Sequence, residues 1–521
     1  MADVTPNRRT TVEATIVRAA AGTHPRYRQL TDAPGLPHLV RDDLAPLPAG
    51  EGTPIVTIAH LSDIHLIDPE SPARFEVTER MTHRDQASRE QVEDIGSYRP
   101  QEAFTRQVLD SMVVAVNGAA AGPLSGRPID VAITTGDTSD NAHANEIGWA
   151  LDVLEGGPVT PGSGDPEVYA GAGGPVFDSD QYWVPEGEPA DYARVAEGFP
   201  AAPGAHLASK RGFEASGLDV PWLSIYGNHD RLVGGVTMPT DASRALSVQA
   251  LKAIEPRPDA EVHDAHTLKR ALDELDFATY GAAMDWRTVA VDAGRRLVER
   301  AEWVAAHFRD GARPAAHGFT EANRADGTAY YRHDVAGVTF LALDTVVPAD
   351  GWDGSLDRVQ LSWLIGELDA AGRERRLVVL MSHHTSTTLG FDPAGDRVTS
   401  AELIGTVQQH PCVIAWLNGH THANEIRHHG TFWEVTAASL IDWPQQARIV
   451  EVVDHGDTIV IGCTLLDHAA PATWAGGVDT PLELASLSRE LSANTWQRHP
   501  FDWAGELTDR NVLLPLPHPF A

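Results

Sequence analysis

Val56-Thr-Ile-Ala-His-Leu-Ser-Asp63-Ile-His65 is an apolar run rich in β-branched residues that breaks into a carboxylate and an imidazole. A short run of this kind, followed by polar sequence, predicts a buried strand ending in a loop. The pattern returns along the chain. Ile129 to Thr135 leads into Gly136-Asp137-Thr-Ser-Asp140-Asn141, and Trp222 to Tyr226 into Gly227-Asn228-His229-Asp230. Leu377 to Met381 leads into Ser382-His383-His384, and Val413 to Leu417 into Gly419-His420-Thr-His422. These strand ends are expected to converge on one rim of an α/β architecture.

Every side chain offered there is a carboxylate, an imidazole or an amide oxygen. That set suits divalent Mn, Fe or Zn and lacks the thiolates of a structural zinc site, so two bound metals would be catalytic. In extended chain, residues two apart point the same way, which predicts that Asp63 aims with His65 and His420 with His422. Gly136, Gly227 and Gly419 precede key donors, where a residue without Cβ lets the backbone turn sharply or approach closely. Each motif alone is weak, because 24 His and 73 acidic residues make isolated Asp-x-His or His-x-His patterns common on solvated surface. The ordered set, each member behind a strand, is the signal.

On these motifs, together with Gly337-Val-Thr-Phe-Leu-Ala-Leu-Asp344-Thr and Leu356-Asp-Arg-Val-Gln360-Leu-Ser-Trp363-Leu, the chain resembles the calcineurin-like metallophosphoesterases. That superfamily holds purple acid phosphatases, cyclic-nucleotide phosphodiesterases and acid sphingomyelinase, and the resemblance is to the phosphodiesterase branch. It runs from Pro54 to Leu466 with long insertions; the spacers and the Ala- and Arg-rich composition are similar to an actinobacterial group. The resemblance implies a four-layer αββα sandwich of two mixed β-sheets with helices outside and ligands at one edge. Strand patterning alone does not separate this from other α/β sheets.

The resemblance also implies roles. Asp63, His65 and His422 would hold one metal, Asn228, His383 and His420 the other, and Asp137 would bridge both. His384 is the alternative to His383 and otherwise lines the substrate pocket. His229 matches the family's catalytic His, and Asp230 is expected to hydrogen-bond its other nitrogen. Asn141 reads either as a phosphate contact or as the N-cap of a helix from Ala142 to Leu154. Asp140 stands where purple acid phosphatases carry a Tyr, which disfavours a purple Fe(III) enzyme. The implied reaction is attack of metal-activated water on a small phosphodiester or phosphomonoester, with His229 protonating the leaving oxygen and two ions about 3.5–4 Å apart. A nuclease on single-stranded nucleic acid and a non-catalytic binding module on the same fold are the alternatives.

Composition narrows the partners. A chain of 521 residues that is 42% hydrophobic can bury a sizeable core. Its formal net charge of −33 repels polyanions, so duplex nucleic acid and anionic membranes are not expected partners. Arg373 to Arg376 and Lys210-Arg211 are too short to reverse that field. Cys412 and Cys463 sit in apolar runs and read as buried small hydrophobes. No apolar stretch is long enough for a transmembrane helix. Arg8-Arg9 precedes Thr10 to Gly22, which holds Glu13 and Arg18 instead of an apolar core, so the chain as written is expected in the cytoplasm, and an exported form would need a removed leader.

Residues 1–50 read as an N-terminal arm, 51–466 as the main domain, and 467–521 as a tail with one helix, Pro481 to Ser492. A helix is expected from Pro100 to Ala120, with Pro100 at its start, Glu102 in its first turn, and Phe104, Val108, Met112 and Val116 at helical spacing. Insertions at about 149–222 and 232–330 follow strand ends on the ligand rim and read as a cap that selects substrate. The second carries helical patterns at Thr267 to Leu275 and Arg296 to Phe308, and a His263-Asp264-His266 cluster that reads as surface. Tyr330 and Tyr331 read as core residues entering the next strand. Thr431 to Ala437, Ile449 to Val453 and Thr458 to Leu466 are expected to form a meander completing the second sheet.

Overall fold

In the computed structural model, which describes residues 10–76, 98–177, 179–180, 182–257, 284–349, 351–495 and 502–521, the apolar runs pair into two large sheets. The seven-stranded sheet runs, edge to edge, Leu39–Val40, Val512–Pro517, Thr458–Asp467, Gln446–Asp454, Thr53–Leu61, Val131–Thr134 and Trp222–Ser224. The six-stranded sheet runs Tyr331–Val335, Val338–Ala342, Val378–Met381, Val413–Asn418, Trp433–Thr436 and Glu425–His428. Both are mixed: Thr53–Leu61, Val131–Thr134 and Trp222–Ser224 are parallel, as are the four strands from Val338–Ala342 to Trp433–Thr436.

Alternation along the strands decides which side chains face the other sheet. Phe340, Ala342, Val379 and Met381 join Val56, Ile58, Ile133, Ile449 and Ile461 in one core between the sheets. Their neighbours Leu341, Leu343, Val378 and Leu380 point the other way, beneath Leu361, Leu364 and Leu368 of helix Arg358–Glu374 and Leu403 and Val407 of helix Ser400–Gln408. Side chains one residue apart thus serve different layers, as a period of two requires. Helices Thr105–Ala119, Ala144–Glu155 and Pro481–Ser492 accompany the seven-stranded sheet, the first tied to the residues just after its strand Thr458–Asp467 through Ala469 N–H to the Ser111 carbonyl at 2.9 Å. The result is the expected αββα sandwich. Cys412 and Cys463 are buried free thiols, and no helix among the described residues is long and apolar enough to cross a membrane.

Two expectations about the C-terminal third are corrected. Trp433–Thr436 belongs to the six-stranded sheet, whereas Gln446–Asp454 and Thr458–Asp467 form a hairpin beside Thr53–Leu61 in the other. The chain crosses between sheets at residues 437–445, so there is no single meander. The tail also adds a strand, Val512–Pro517, despite Pro515 and Pro517. Asn511 and Leu513 direct their carbonyls to Leu39 and Arg41, away from Thr458–Asp467. The prolines share that side, beyond the reach of the two-residue edge strand Leu39–Val40, so their missing N–H groups break no ladder.

The stretches around Lys210, Lys252 and Arg295 are fastened to residues 68–76 by these buried cations. Lys252 Nζ, fully buried, donates to the Pro69 and Ser71 carbonyls at 2.9 Å each and to Glu76 Oε1 at 2.8 Å. Lys210 Nζ donates to Glu70 Oε1 at 2.6 Å and to the Ser163, Asp165 and Val168 carbonyls. Arg295 reaches Asp68 Oδ2 at 3.2 Å. Each of these cations has hydrogen-bonding oxygens around it, the condition under which such burial is tolerated. The second helical pattern of the 232–330 insertion gives helix Arg300–Ala306; Thr267 to Leu275 and the cluster His263, Asp264 and His266 lie outside the described residues. Tyr331 is buried and donates to the Ser224 carbonyl at 2.9 Å.

Asp110, on the helix Thr105–Ala119, accepts the Ser216 N–H at 3.2 Å, and burial raises its carboxyl from 3.8 to about 6. A raised carboxyl favours the fold while protonated, so its contribution is complete below the unfolded value and lost as pH rises through about 6. Asp110→Asn is expected to stabilise the protein by up to about 3 kcal/mol at pH 8 and to have no such effect at pH 4. Denaturant melts at the two pH values check this; an equal effect at both would contradict it.

Candidate metal centre

The strand ends meet where the two sheets adjoin, but the backbone there is not extended. Asp63 and His65 each have φ of 49°, Asp137 50°, His420 69° and His422 59°. Non-glycine residues seldom adopt this left-handed conformation, and its cost is of order 1–3 kcal/mol each. The pairing of Asp63 with His65 and of His420 with His422 therefore comes from tight turns, not from the extended alternation expected from the sequence. Backbone bonds hold those turns: Asp63 N–H to Gly136 O at 3.2 Å, His65 N–H to Asp137 O at 2.8 Å, and Gly419 N–H to His383 O at 3.0 Å. A Cβ at Gly227 would collide with Asp137, and one at Gly419 with Ser62 and Asp63. These glycines let adjacent motifs touch.

The donor atoms crowd into two adjoining groups. In the first, Asp63 Oδ1 lies 3.9 Å from His65 Nε2 and 3.6 Å from His422 Nε2, and the two Nε2 atoms are 3.0 Å apart. In the second, His383 Nε2 lies 2.8 Å from Asn228 Oδ1 and 3.1 Å from His420 Nδ1. Asp137 Oδ2 reaches both, at 3.7 Å from His65 Nε2 and 3.2 Å from His383 Nε2. Around an ion with bonds of about 2.1 Å, neighbouring donors are about 3.0 to 3.4 Å apart. Residues of both groups form His and Asp clusters able to hold a metal ion.

Hydrogen-bond logic shows what fits between these atoms. His65 Nδ1 is 2.8 Å from Asp140 Oδ1, and His422 Nδ1 is 2.7 Å from Asp442 Oδ2. Asp140 and Asp442 are buried, but Arg74 beside the first and Arg99 beside the second outweigh that penalty and hold both carboxyls well below the usual range. An ionised carboxylate only accepts, so each Nδ1 carries the proton and each Nε2 presents a lone pair. Those lone pairs face one another. Likewise His383 Nδ1 must donate to the Thr135 carbonyl at 2.8 Å, which turns its Nε2 lone pair toward Asp137 Oδ2. Asn228 Nδ2 donates to the Gly235 carbonyl at 2.9 Å, which leaves Oδ1 facing inward. Acceptors meeting acceptors in a buried site require a cation, and the donor chemistry fits a divalent metal.

The same field acts on protons. Burial disfavours a charged His383, but Asp137 outweighs it and raises the imidazole to about 9, so a proton on Nε2 takes the place that a metal ion would fill. His65 has no such support: burial and the neighbouring His229 lower it to about 4, so it is neutral and ready to ligate. His229 is raised to about 9, with burial overcome by Asp137 and Asp140. Its Nδ1 donates to the Asp140 carbonyl at 2.8 Å, and its Nε2 stands 4.0 Å from Asp137 Oδ2 with the side chain 20% exposed. A Cβ at Gly235 would strike the His229 ring, so this glycine both seats the ring and orients the Asn228 amide.

Three predicted residues are placed differently. Asp230 does not touch the free nitrogen of His229. It accepts from the N–H groups of Gly227 at 3.0 Å, Ser139 at 2.8 Å and Thr138 at 3.3 Å, binding two ligand loops together. Asn141 caps no helix: the helix is Ala144–Glu155 with His143 at its N-cap, and Asn141 is buried with its amide donating to Glu146 Oε1 at 2.9 Å. His384 lies against His383 and His420, yet is buried with both nitrogens engaged, Nδ1 with Thr345 Oγ1 at 2.7 Å and Nε2 with the Trp352 carbonyl at 3.0 Å. It pins the loop that carries Trp352, whose half-exposed ring stacks on His420 at 5.7 Å and 22°. His383 is the neighbour left with a converging lone pair.

Sequence reading missed Asp442, Arg74, Arg99, Gly235 and Trp352. The Gly234-Gly235 pair beyond Asn228 was a usable signal; the others lie in stretches with no motif spacing.

No family model matches the chain, and no curated protein sequence matches it. Among solved structures, a dimetal phosphatase from Danio rerio aligns over 80% of this chain and 99% of its own, at 11% identity and a TM-score of 0.36. A proposed 5′-nucleotidase from Staphylococcus aureus, solved with α-ketoglutarate, aligns over 79% of this chain and 54% of its own, at 10% identity and a TM-score of 0.26.

Gly227→Ala is expected to displace Asp137 and to lower divalent-ion content after desalting by at least about tenfold, the scale seen when ligand support is lost, while circular dichroism stays unchanged. Full metal content in the variant would contradict the close approach described.

Proposed function

We propose that this chain is a dinuclear-metal-dependent phosphoesterase of the calcineurin-like type, acting on small phosphodiesters or phosphomonoesters. The observation that carries the reading is the convergence of metal-ligating atoms, Asp137 Oδ2 between the His65 and His383 Nε2 atoms at 3.7 and 3.2 Å. Asp63, His65 and His422 would hold one ion, Asn228, His383 and His420 the other, and Asp137 both. Mn, Fe or Zn suits these donors. Such a pair supplies neutralisation of phosphoryl charge and acidification of water when bound.

The chain's own residues supply the rest. Asp137 Oδ1 accepts the His229 N–H at 2.9 Å, which couples the position of the imidazole to that of the central carboxylate. His229 keeps Nδ1 on the Asp140 carbonyl and holds a protonated Nε2 4.0 Å from Asp137 Oδ2. From there it hands a proton to the leaving oxygen, a role worth about 10² to 10⁴ in rate. Asp230 fixes the loops, and Asn141, held by Glu146, supports the same wall. The insertions, fastened through Lys210, Lys252 and Arg295, would frame the rim as a cap that limits entry to small esters. The formal charge of −33 favours small substrates over duplex nucleic acid or membrane.

The test is hydrolysis of bis-p-nitrophenyl phosphate and p-nitrophenyl phosphate by metal-stripped protein resupplied with Mn, Zn or Fe. Release is expected to require metal, to vanish in Asp137→Ala, and to fall about 10² to 10⁴ in His229→Ala. No turnover with any metal in protein that has bound two ions would overturn the hydrolase reading.

A further inference from the structure

Behind the donors, the two halves of the centre are built differently. His65 and His422 are each backed by a carboxylate, and each carboxylate by a buried arginine. Asp442 receives Arg99 through two parallel bonds, Nε to Oδ1 at 2.8 Å and Nη2 to Oδ2 at 3.0 Å, and its Oδ2 also accepts His422 Nδ1–H. Asp140 receives Arg74 Nη1 on Oδ2 while Oδ1 accepts His65 Nδ1–H, and Arg74 Nη2 is held in turn by Glu102 Oε2 at 2.8 Å. Asp140, Asp442, Arg74 and Arg99 are all buried. The other half has no such backing. His383 leans on the neutral Thr135 carbonyl, and Asn228 on the Gly235 carbonyl.

The difference has a physical consequence. A carboxylate behind a ligating imidazole fixes its tautomer and raises its basicity, and losing that partner costs about 10- to 100-fold in metal affinity. A guanidinium fork holds the carboxylate in one orientation, which an ammonium does less well. Arg99 enters from the start of the helix region beside the seven-stranded sheet, and Asp442 from the crossover between the sheets. Their contact therefore ties His422 to both layers.

We infer that Arg99 and Arg74 are positioning residues for one half of the centre: by locking Asp442 and Asp140 they hold His422 and His65 with Nε2 on a common point, and so govern the ion of Asp63, His65 and His422 without governing the other. This rests on the two-ion reading above.

The test is Mn(II) titration of metal-stripped protein by calorimetry, with ¹⁵N-imidazole NMR to read the histidine tautomers. Wild type is expected to bind two ions and to show His422 protonated at Nδ1. Arg99→Gln is expected to weaken one ion by about 10- to 100-fold, to leave the other unchanged and to lose the His422 Nδ1–H signature. Arg99→Lys should fall between, since it keeps charge without the fork. Asp442→Asn, which leaves Arg99 in place, should reproduce the loss at one ion. Equal weakening of both ions in a folded variant, or no weakening of either, overturns the inference. A wild-type protein that binds fewer than two ions overturns the two-ion reading itself.

Discussion

The centre depends on an electrostatic conflict among ligand atoms whose lone pairs are turned toward one another. Asp137 Oδ2, Asn228 Oδ1 and the Nε2 atoms of His65, His383 and His422 are brought together with lone pairs inward, most of them fully buried. Each is committed to that orientation by the bond its other end makes, with a carboxylate or a backbone carbonyl for the imidazoles and the amide, and with the His229 backbone N–H for Asp137. Such an arrangement is costly in a low-dielectric interior unless positive charge sits among the acceptors. The surrounding fold therefore has to hold atoms that repel each other.

Several features serve that end. The left-handed turns at Asp63, His65, Asp137, His420 and His422 survive because backbone bonds run between the motifs, not only within them. Asp230 gathers N–H groups from two of the loops, and the glycines at 227 and 419 give those loops room to touch. Farther out, Lys252, Lys210 and Arg295 clamp the segment 66–76 to both insertions. Arg74, from that same segment, reaches Asp140. A chain of buried contacts thus links Lys252 through Glu76, Arg74 and Asp140 to the imidazole of His65, the kind of support a precisely held site needs.

Much of this was legible in the sequence because burial on both faces writes a strand as a short apolar run, and each ligand motif followed one. The sandwich itself was not legible from pattern: two sheets and one sheet give the same runs, and the resemblance supplied the difference. The false meander has the same origin, since strand Trp433–Thr436 and the hairpin after it read alike although they lie in different sheets. Strand Val512–Pro517 was hidden by prolines that only the edge position makes harmless. Adjacency misled at Asp230, which follows His229 yet faces the loop amides, while Asp442, twenty residues beyond His422, does the orienting. Side chains that work at a distance in sequence leave no spacing to read.

The most direct measurement is anomalous X-ray diffraction from crystals grown with Mn(II). The account predicts two peaks about 3.5–4 Å apart on either side of Asp137 Oδ2, one bonded to Asp63, His65 and His422, the other to Asn228, His383 and His420. A single peak, peaks away from Asp137, or bonding through His384 in place of His383 would contradict it.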